Sequence, residues 1–235
     1  MGIDPRQRVT DHLPEPVVIP AGEVRLQGTL TLPPYPRGVV LFAHGSGSSR
    51  LSPRNQFVAD ALVTANFGSL LFDLLTEREA EDRSNVFDIA LLAGRLRHAT
   101  TWVAAYPATA GLGVGYFGAS TGAAAALVAA AAAGPTVGAV VSRGGRPDLA
   151  GDRLPLVRAP TLLIVGGADA GVLELNRAAL AQLRGIKQLA IVPGATHLFE
   201  ERGALEAVAR LAAEWFGRHL HAGAGGPSVV AARAS

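Results

Sequence analysis

The sequence predicts an α/β domain built on a mostly parallel, doubly wound sheet. Short apolar runs alternate with helical patterns along nearly the whole chain. The runs are continuously apolar, as strands covered on both faces require. Reactive side chains follow directly after four of them, at the strand ends where such sheets bind ligands.

The elements read as follows. Residues 17–20 and 23–32 are expected to be two strands, the second alternating through Val24, Leu26, Gly28, Leu30 and Leu32. Together they predict an N-terminal antiparallel ribbon. Buried strands are expected at 38–43, 68–72, 113–117, 137–141, 161–165 and 189–192. Helices are expected between them. Residues 55–65 carry Phe57, Leu62 and Val63, and 87–105 carry Leu91, Leu92, Leu96 and Val103 on related faces. Further helices are expected at 121–133, 173–183 and 205–220. No repeat and no linker divides the chain. The expected organisation is an N-terminal extension over 1–16, one domain over 17–220 and a flexible tail over 221–235, where Gly, Ala and Pro mix without period.

Composition excludes several function classes. The 235 residues are 49% hydrophobic and 17% charged, too apolar for a disordered chain and long enough for a sizeable core. The net charge is +2 and no dense Lys/Arg cluster occurs, so no nucleic-acid partner is expected. Cysteine is absent, which removes disulfides, Cys-ligated zinc, iron–sulfur clusters and a thiol nucleophile. The N-terminal residues Asp4, Arg6, Arg8, Asp11 and His12 include no apolar core of a secretory signal. Arg6 stands where a myristoylation signal would have Ser or Thr. The Ala-rich run 122–133 stops at Gly134-Pro135, short of the ~20 residues of a membrane span. The expected compartment is the cytoplasm, with no membrane partner.

After the run at 113–117 the chain reads Gly118-Ala119-Ser120-Thr121-Gly122. A serine in this G-x-S-x-G pattern, between strand and helix, sits on a tight turn that exposes its hydroxyl. Small residues two before and two after are needed because the backbone folds closely past itself. The helix N-terminus then aims N–H groups at any negative charge formed beside the serine. The plain alternative is a serine that only caps the helix. Gly113, Gly115 and Gly118 also fit G-x-G-x-x-G, but the glycines fall inside the strand, and Asp148 lies too far on for a ribose ligand. The only lysine, Lys187, follows no phosphate-binding loop.

Gly166-Gly167-Ala168-Asp169 and Pro193-Gly194-Ala195-Thr196-His197 follow the last two strand runs. The order Ser120, Asp169, His197 suits a base that takes the serine proton and an acid that orients the base. Asp169 could instead only stabilise a turn, and Glu174, Asp148 and Asp152 are rival acids. His44, His98, His219 and His221 are rival bases, none on a loop after the last strand. His44-Gly45-Ser46-Gly47-Ser48-Ser49-Arg50 follows the run at 38–43. Acyl transfer needs two N–H donors for the oxyanion; Ser46 and Thr121 are the candidates, with Gly45 and Gly47 leaving room for substrate. His44 is expected to brace this loop. Arg50 and Arg143 are candidates to bind a substrate carboxylate or phosphate, or to pair with Asp148, Asp152 or another acid. Asp73 is expected to be a structural turn residue.

Together these segments resemble the α/β-hydrolase family, and within it the dienelactone-hydrolase-like branch of bacterial serine hydrolases. The phrases that carry the likeness are HGSGSSR from His44, SPRN from Ser52, LLFDLL from Leu70, GYFGASTGAAAAL from Gly115, SRGGRPDLA from Ser142, ELN from Glu174 and VPGATHLFEE from Val192. The resemblance implies the triad Ser120, Asp169, His197 and an oxyanion hole at Ser46 and Thr121. It departs in one respect: dienelactone hydrolase proper uses a cysteine, and this chain has none. Members of the branch also occur fused to or beside phosphoribosyltransferase domains. The short stretch between the strands expected at 137–141 and 161–165 implies no lid domain and an open site.

The expected function is a serine carboxylesterase acting on small or short-chain acyl esters through an acyl-enzyme, with no metal and no organic cofactor. A thioesterase, peptidase or acyltransferase would use the same triad. A non-catalytic binding module is the alternative from another class. The expected partner is a small-molecule ester; the oligomeric state is not legible.

Overall fold

The computed structural model describes residues 13–220. The expected tail over 221–235 and most of the expected extension lie outside them. Strands β1 (Glu15–Ala21) and β2 (Val24–Thr31) form a hairpin closed at Gly22-Glu23, where Gly22 takes φ +71. That left-handed conformation suits glycine in so tight a turn. Burial alternates along β1, so only one face of this ribbon is covered.

The remaining strands are β3 (Val39–Ala43), β4 (Gly68–Phe72), β5 (Val114–Ala119), β6 (Val137–Arg143), β7 (Thr161–Gly166) and β8 (Lys187–Val192). They complete an eight-stranded sheet of order β1-β2-β4-β3-β5-β6-β7-β8. β2 pairs antiparallel with β1 and with β4; every other pairing is parallel. β3, β4, β5 and β7 are buried at every residue, as their unbroken apolar runs require.

Helices cover both faces. Helix α1 (Pro53–Thr64) and the last helix, α7 (Ala204–His219), pack on one side through Val58, Leu62, Val208, Trp215 and Phe216. Between them in the chain come α2 (Glu77–Ala80), α3 (Arg83–Phe87), α4 (Ile89–Ala105), α5 (Thr121–Ala133) and α6 (Ala170–Gln182). α4, α5 and α6 cover the opposite face through Leu92, Leu96, Leu127 and Ala179. The alanines of α5 let it lie close against the sheet, and it is buried almost all round.

The expected elements form, with differences of identifiable cause. β8 is an edge strand whose outer residues are exposed, not a strand covered on both faces. The helix expected at 87–105 is preceded by α2 and α3, because Thr76, Asp82 and Asp88 each cap a separate start. α1 begins at Pro53, pre-set for the first helical position and capped by Ser52. Phe57 is 41% exposed rather than core. α6 starts at Ala170, directly after Asp169. A 3-10 segment, Pro147–Leu156, fills the link from β6 to β7, and no lid domain is inserted there. Among the described residues no helix is long and apolar enough to cross a membrane.

Candidate active site

Ser120 stands between β5 and α5 with φ 51 and ψ −123. A side chain rarely adopts this conformation, and such strain persists only where neighbours enforce it. Two glycines allow the turn. A Cβ at Gly118 would lie 2.5 Å from the Ala123 Cα, and one at Gly122 would lie 2.1 Å from the Ala43 carbonyl oxygen. The main chain of Ser120 is latched to the loop after β6. Its N–H donates to the Arg143 carbonyl at 3.3 Å, and the Arg146 N–H donates to the Ser120 carbonyl at 3.0 Å. The hydroxyl makes no capping hydrogen bond, so this serine does not act as an ordinary helix cap.

His197 lies on the loop after β8, and its Nδ1 meets Asp169 Oδ2 at 2.7 Å. Asp169 holds the N-cap position of α6, but its side chain makes no cap bond. Its carboxylate is committed to the imidazole. An ionised carboxylate only accepts, so Nδ1 carries the proton and Nε2 presents its lone pair. The two loops meet closely: a Cβ at Gly166 would lie 2.2 Å from the Ala195 carbonyl oxygen. Gly144, at φ +50, would place a Cβ 3.1 Å from the His197 carbonyl oxygen and 3.6 Å from Nδ1. The loop after β6 therefore touches both the serine turn and the base.

The loop after β3 approaches from the other side. A Cβ at Gly45 would lie 2.8 Å from Ser120 Cβ and 3.5 Å from its Oγ. The Ser46 N–H donates to Thr121 Oγ1 at 3.0 Å, so the two candidate oxyanion residues are joined. Gly47 takes φ +68 with open space around it. His44 braces the loop. The Leu74 N–H donates to its Nε2 at 3.1 Å, which leaves Nδ1–H to donate to the Gly45 carbonyl at 3.1 Å. Burial pushes the His44 pKa down, against opposing contributions from the Gly45 bond and the Asp73 charge.

A cavity of about 770 Å³ opens beside this loop, lined among others by Gly45, Gly47, Arg50, Asp73, Leu75 and Thr121. The Arg50 N–H donates to Asp73 Oδ1 at 2.8 Å and its guanidinium pairs with Oδ2. Arg50 thus lines the cavity with its charge tied to Asp73. Arg146 pairs with Asp148 at 2.8 Å. Arg143, the last residue of β6, pairs with no acid among the described residues. It is 8% exposed, its Nε and Nη1 have no partner, and burial with the nearby Arg54 charge pushes its pKa down to about 10.

Sequence reasoning gave no role to Asn176. This fully buried residue of α6 donates from Nδ2 to the Gly145 carbonyl at 3.0 Å and to Val172 at 2.8 Å. It ties the helix that begins at Asp169 to the loop that latches Ser120. The available signal was an amide on the buried face of an amphipathic pattern. Among the described residues no group of three His, Cys, Asp or Glu gathers to hold a metal.

No protein-family model matches the chain. A Mycobacterium tuberculosis H37Rv protein, provisionally named a phosphoribosyl transferase, is 64% identical over 206 residues, 88% of this chain and 46% of its own. The chain thus spans about half the length of that curated relative. The crystal structure of dienelactone hydrolase from Anabaena variabilis superposes with a TM-score of 0.88 at 57% identity, covering 89% of this chain and 99% of that one. A dienelactone-hydrolase-like promiscuous phosphotriesterase from metagenomic libraries shares the fold, with a TM-score of 0.74 at 18% identity over 89% of this chain and 99% of its own.

Proposed function

Because the chain belongs to the dienelactone hydrolase family of α/β-hydrolases, we propose that it is a serine hydrolase that cleaves small acyl esters through an acyl-enzyme. The observation that carries this reading is the 2.7 Å Asp169–His197 pair, packed against the same loop that latches a strained Ser120 whose hydroxyl is not spent on a cap. Ser120 Oγ attacks the ester carbonyl carbon as His197 Nε2 removes its proton. Asp169 holds the tautomer and stabilises the imidazolium. The carbonyl oxygen takes up negative charge and is met by the N–H groups of Ser46 and Thr121. The Thr121 N–H has no acceptor within its own helix, being at the first helical position. The Ser46 N–H is shared with the Thr121 hydroxyl until the oxyanion forms. His197 then protonates the departing alkoxide, activates water, and returns Ser120 with release of the acid.

The large cavity lies on the oxyanion side of the serine and suits a compact ester. Replacing Ser120 by Ala should abolish both hydrolysis of p-nitrophenyl acetate and labelling by a fluorophosphonate, with the fold intact by circular dichroism. Retention of most activity would end the assignment of the nucleophile.

A further inference from the structure

The two edges of the sheet differ in what they offer a further strand. In an edge strand alternate residues turn both N–H and C=O away from the sheet, where another strand can bond to them. At β1 this row is guarded. The Gln27 carbonyl accepts from the Asp73 N–H, so Gln27 bonds towards β4 and its opposite residue on β1, Val18, faces outward. The outward row of β1 is therefore Pro16, Val18 and Pro20, and both prolines lack an N–H. β8 has no such guard. The Thr161 N–H donates to the Ile186 carbonyl and the Gly167 N–H to the Val192 carbonyl, both at 2.8 Å. Even-numbered residues thus face β7, and Lys187, Leu189 and Ile191 face outward. None of the three is a proline, and the pairing with β7 runs from Lys187 to Val192 without a bulge. The charge of Lys187, which could repel another strand, is drawn aside: its Nζ donates to the Leu183 carbonyl at 2.5 Å. Ile186 and Ile191 stand exposed towards the two ends of the strand.

We propose that β8 binds the β8 of a second copy of this chain, antiparallel and about a two-fold axis at Leu189. The second copy is the fitting occupant because the outward row complements itself. With the axis at Leu189, that residue faces Leu189 of the second copy, and Lys187 and Ile191 face each other on both sides of it. Each of these pairs exchanges both of its hydrogen bonds. An axis at Ile191 would set Leu189 against Pro193, which has no N–H, and an axis at Lys187 would set it against Gly185, outside the strand. The register is therefore fixed by the sequence. The two lysines fall at opposite ends of the pairing, so like charges do not oppose each other. Directly opposed residues share a face, so the exposed Ile191 is covered by the aliphatic stem of Lys187 of the second copy. The surface is one strand wide, which makes the dimer weak and reversible, with a Kd on the order of 10 µM. None of this depends on the proposed hydrolase activity.

Sedimentation equilibrium of the full chain over about 1–200 µM should show a monomer–dimer equilibrium. Ile191→Pro removes an outward N–H and no bond to β7, so it should fold, by circular dichroism, and raise the dissociation constant about tenfold or more. Should that variant not fold, Ile191→Lys replaces it, with the same expected weakening. The contact itself is located by cross-linking. The chain has no cysteine, so in Leu189→Cys the thiols of two copies are the only ones present. Hydrogen-bonded antiparallel partners stand about 5.5 Å apart at Cα, within the range a disulfide spans. Mild oxidation should therefore link Leu189→Cys into a covalent dimer, while Val18→Cys, on the proline-guarded edge, should remain monomeric. A wild type that stays monomeric throughout, whether β8 is covered by residues outside 13–220 or by nothing, overturns the proposal. So does a dimer that the Ile191 variants leave as tight as before, or one that links at position 18 as readily as at 189.

Discussion

The backbone at Ser120 makes a prediction that separates strain from chemistry. Ser120→Ala and Ser120→Gly both delete the hydroxyl and both keep the bonds of the 120 main chain to Arg143 and Arg146. They differ in what φ 51, ψ −123 costs them. Alanine retains the clash of a Cβ with its own backbone, of order 1–3 kcal/mol. Glycine adopts the conformation freely but loses about 0.5–1 kcal/mol to its greater freedom when unfolded. The difference leaves Ser120→Gly more stable than Ser120→Ala by about 1 kcal/mol, or roughly 2–4 °C in Tm for a domain of this size. Scanning calorimetry on the two variants measures it, and both should be inactive towards p-nitrophenyl acetate. A glycine variant that melts at or below the alanine variant would refute the reasoning: the turn would then be relaxed, and the serine's exposure would owe nothing to stored strain.

Other expectations follow from the same geometry. Gly122→Ala drives a Cβ to within 2.1 Å of the Ala43 carbonyl oxygen and should cost more than about 3 kcal/mol along with activity; Gly134→Ala, with open space around its φ +58, should cost about 1 kcal/mol, both by urea unfolding. Burial holds the His44 pKa in the folded state below its unfolded value near 6.5, so the folded state binds fewer protons. Stability is therefore fully present above about pH 6.5 and is lost as pH falls towards the folded pKa; His44→Leu should flatten that slope in urea titrations between pH 5 and pH 8. Asn176→Leu breaks the tie to Gly145 and should lower kcat and the rate of fluorophosphonate labelling about tenfold or more, with KM less affected; unchanged labelling kinetics would reduce Asn176 to a packing role.

Much of this arrangement is legible in the sequence because it rests on local rules. Unbroken apolar runs read as β3, β4, β5 and β7 since both faces of each strand are covered. Gly118 and Gly122 mark the serine turn because no side chain fits against Ala123 and Ala43 there. The parts that were not legible depend on where the chain returns in space. β8 reads as a buried strand, yet among the described residues no strand pairs beyond it in the sheet. Phe57 has the spacing of a core residue but faces outward. Arg50 and Arg143 look alike as arginines after strands. Only the fold reveals that Asp73, twenty-three positions on, answers Arg50, and that among the described residues no acid pairs with Arg143.

The loop after β6 links the segments that carry Ser120, Asp169 and His197. It holds the Ser120 carbonyl through the Arg146 N–H and lies against His197 at Gly144. Its Gly145 carbonyl is held by Asn176, on the helix that starts at Asp169. The loop contributes main-chain atoms to each contact, and only Asn176 answers with a side chain. Glycine is enforced twice in succession: Gly144 lies at φ +50 against the base, and a Cβ at Gly145 would lie 2.0 Å from Ser142 Oγ. A side chain at Gly144 would strain the left-handed backbone and press on His197, and one at Gly145 would displace Ser142 and Ala123 of α5. In the proposed mechanism the alignment of Ser120, Asp169 and His197 depends on a short loop that supplies none of them, and substitutions there should reduce turnover well before they unfold the domain.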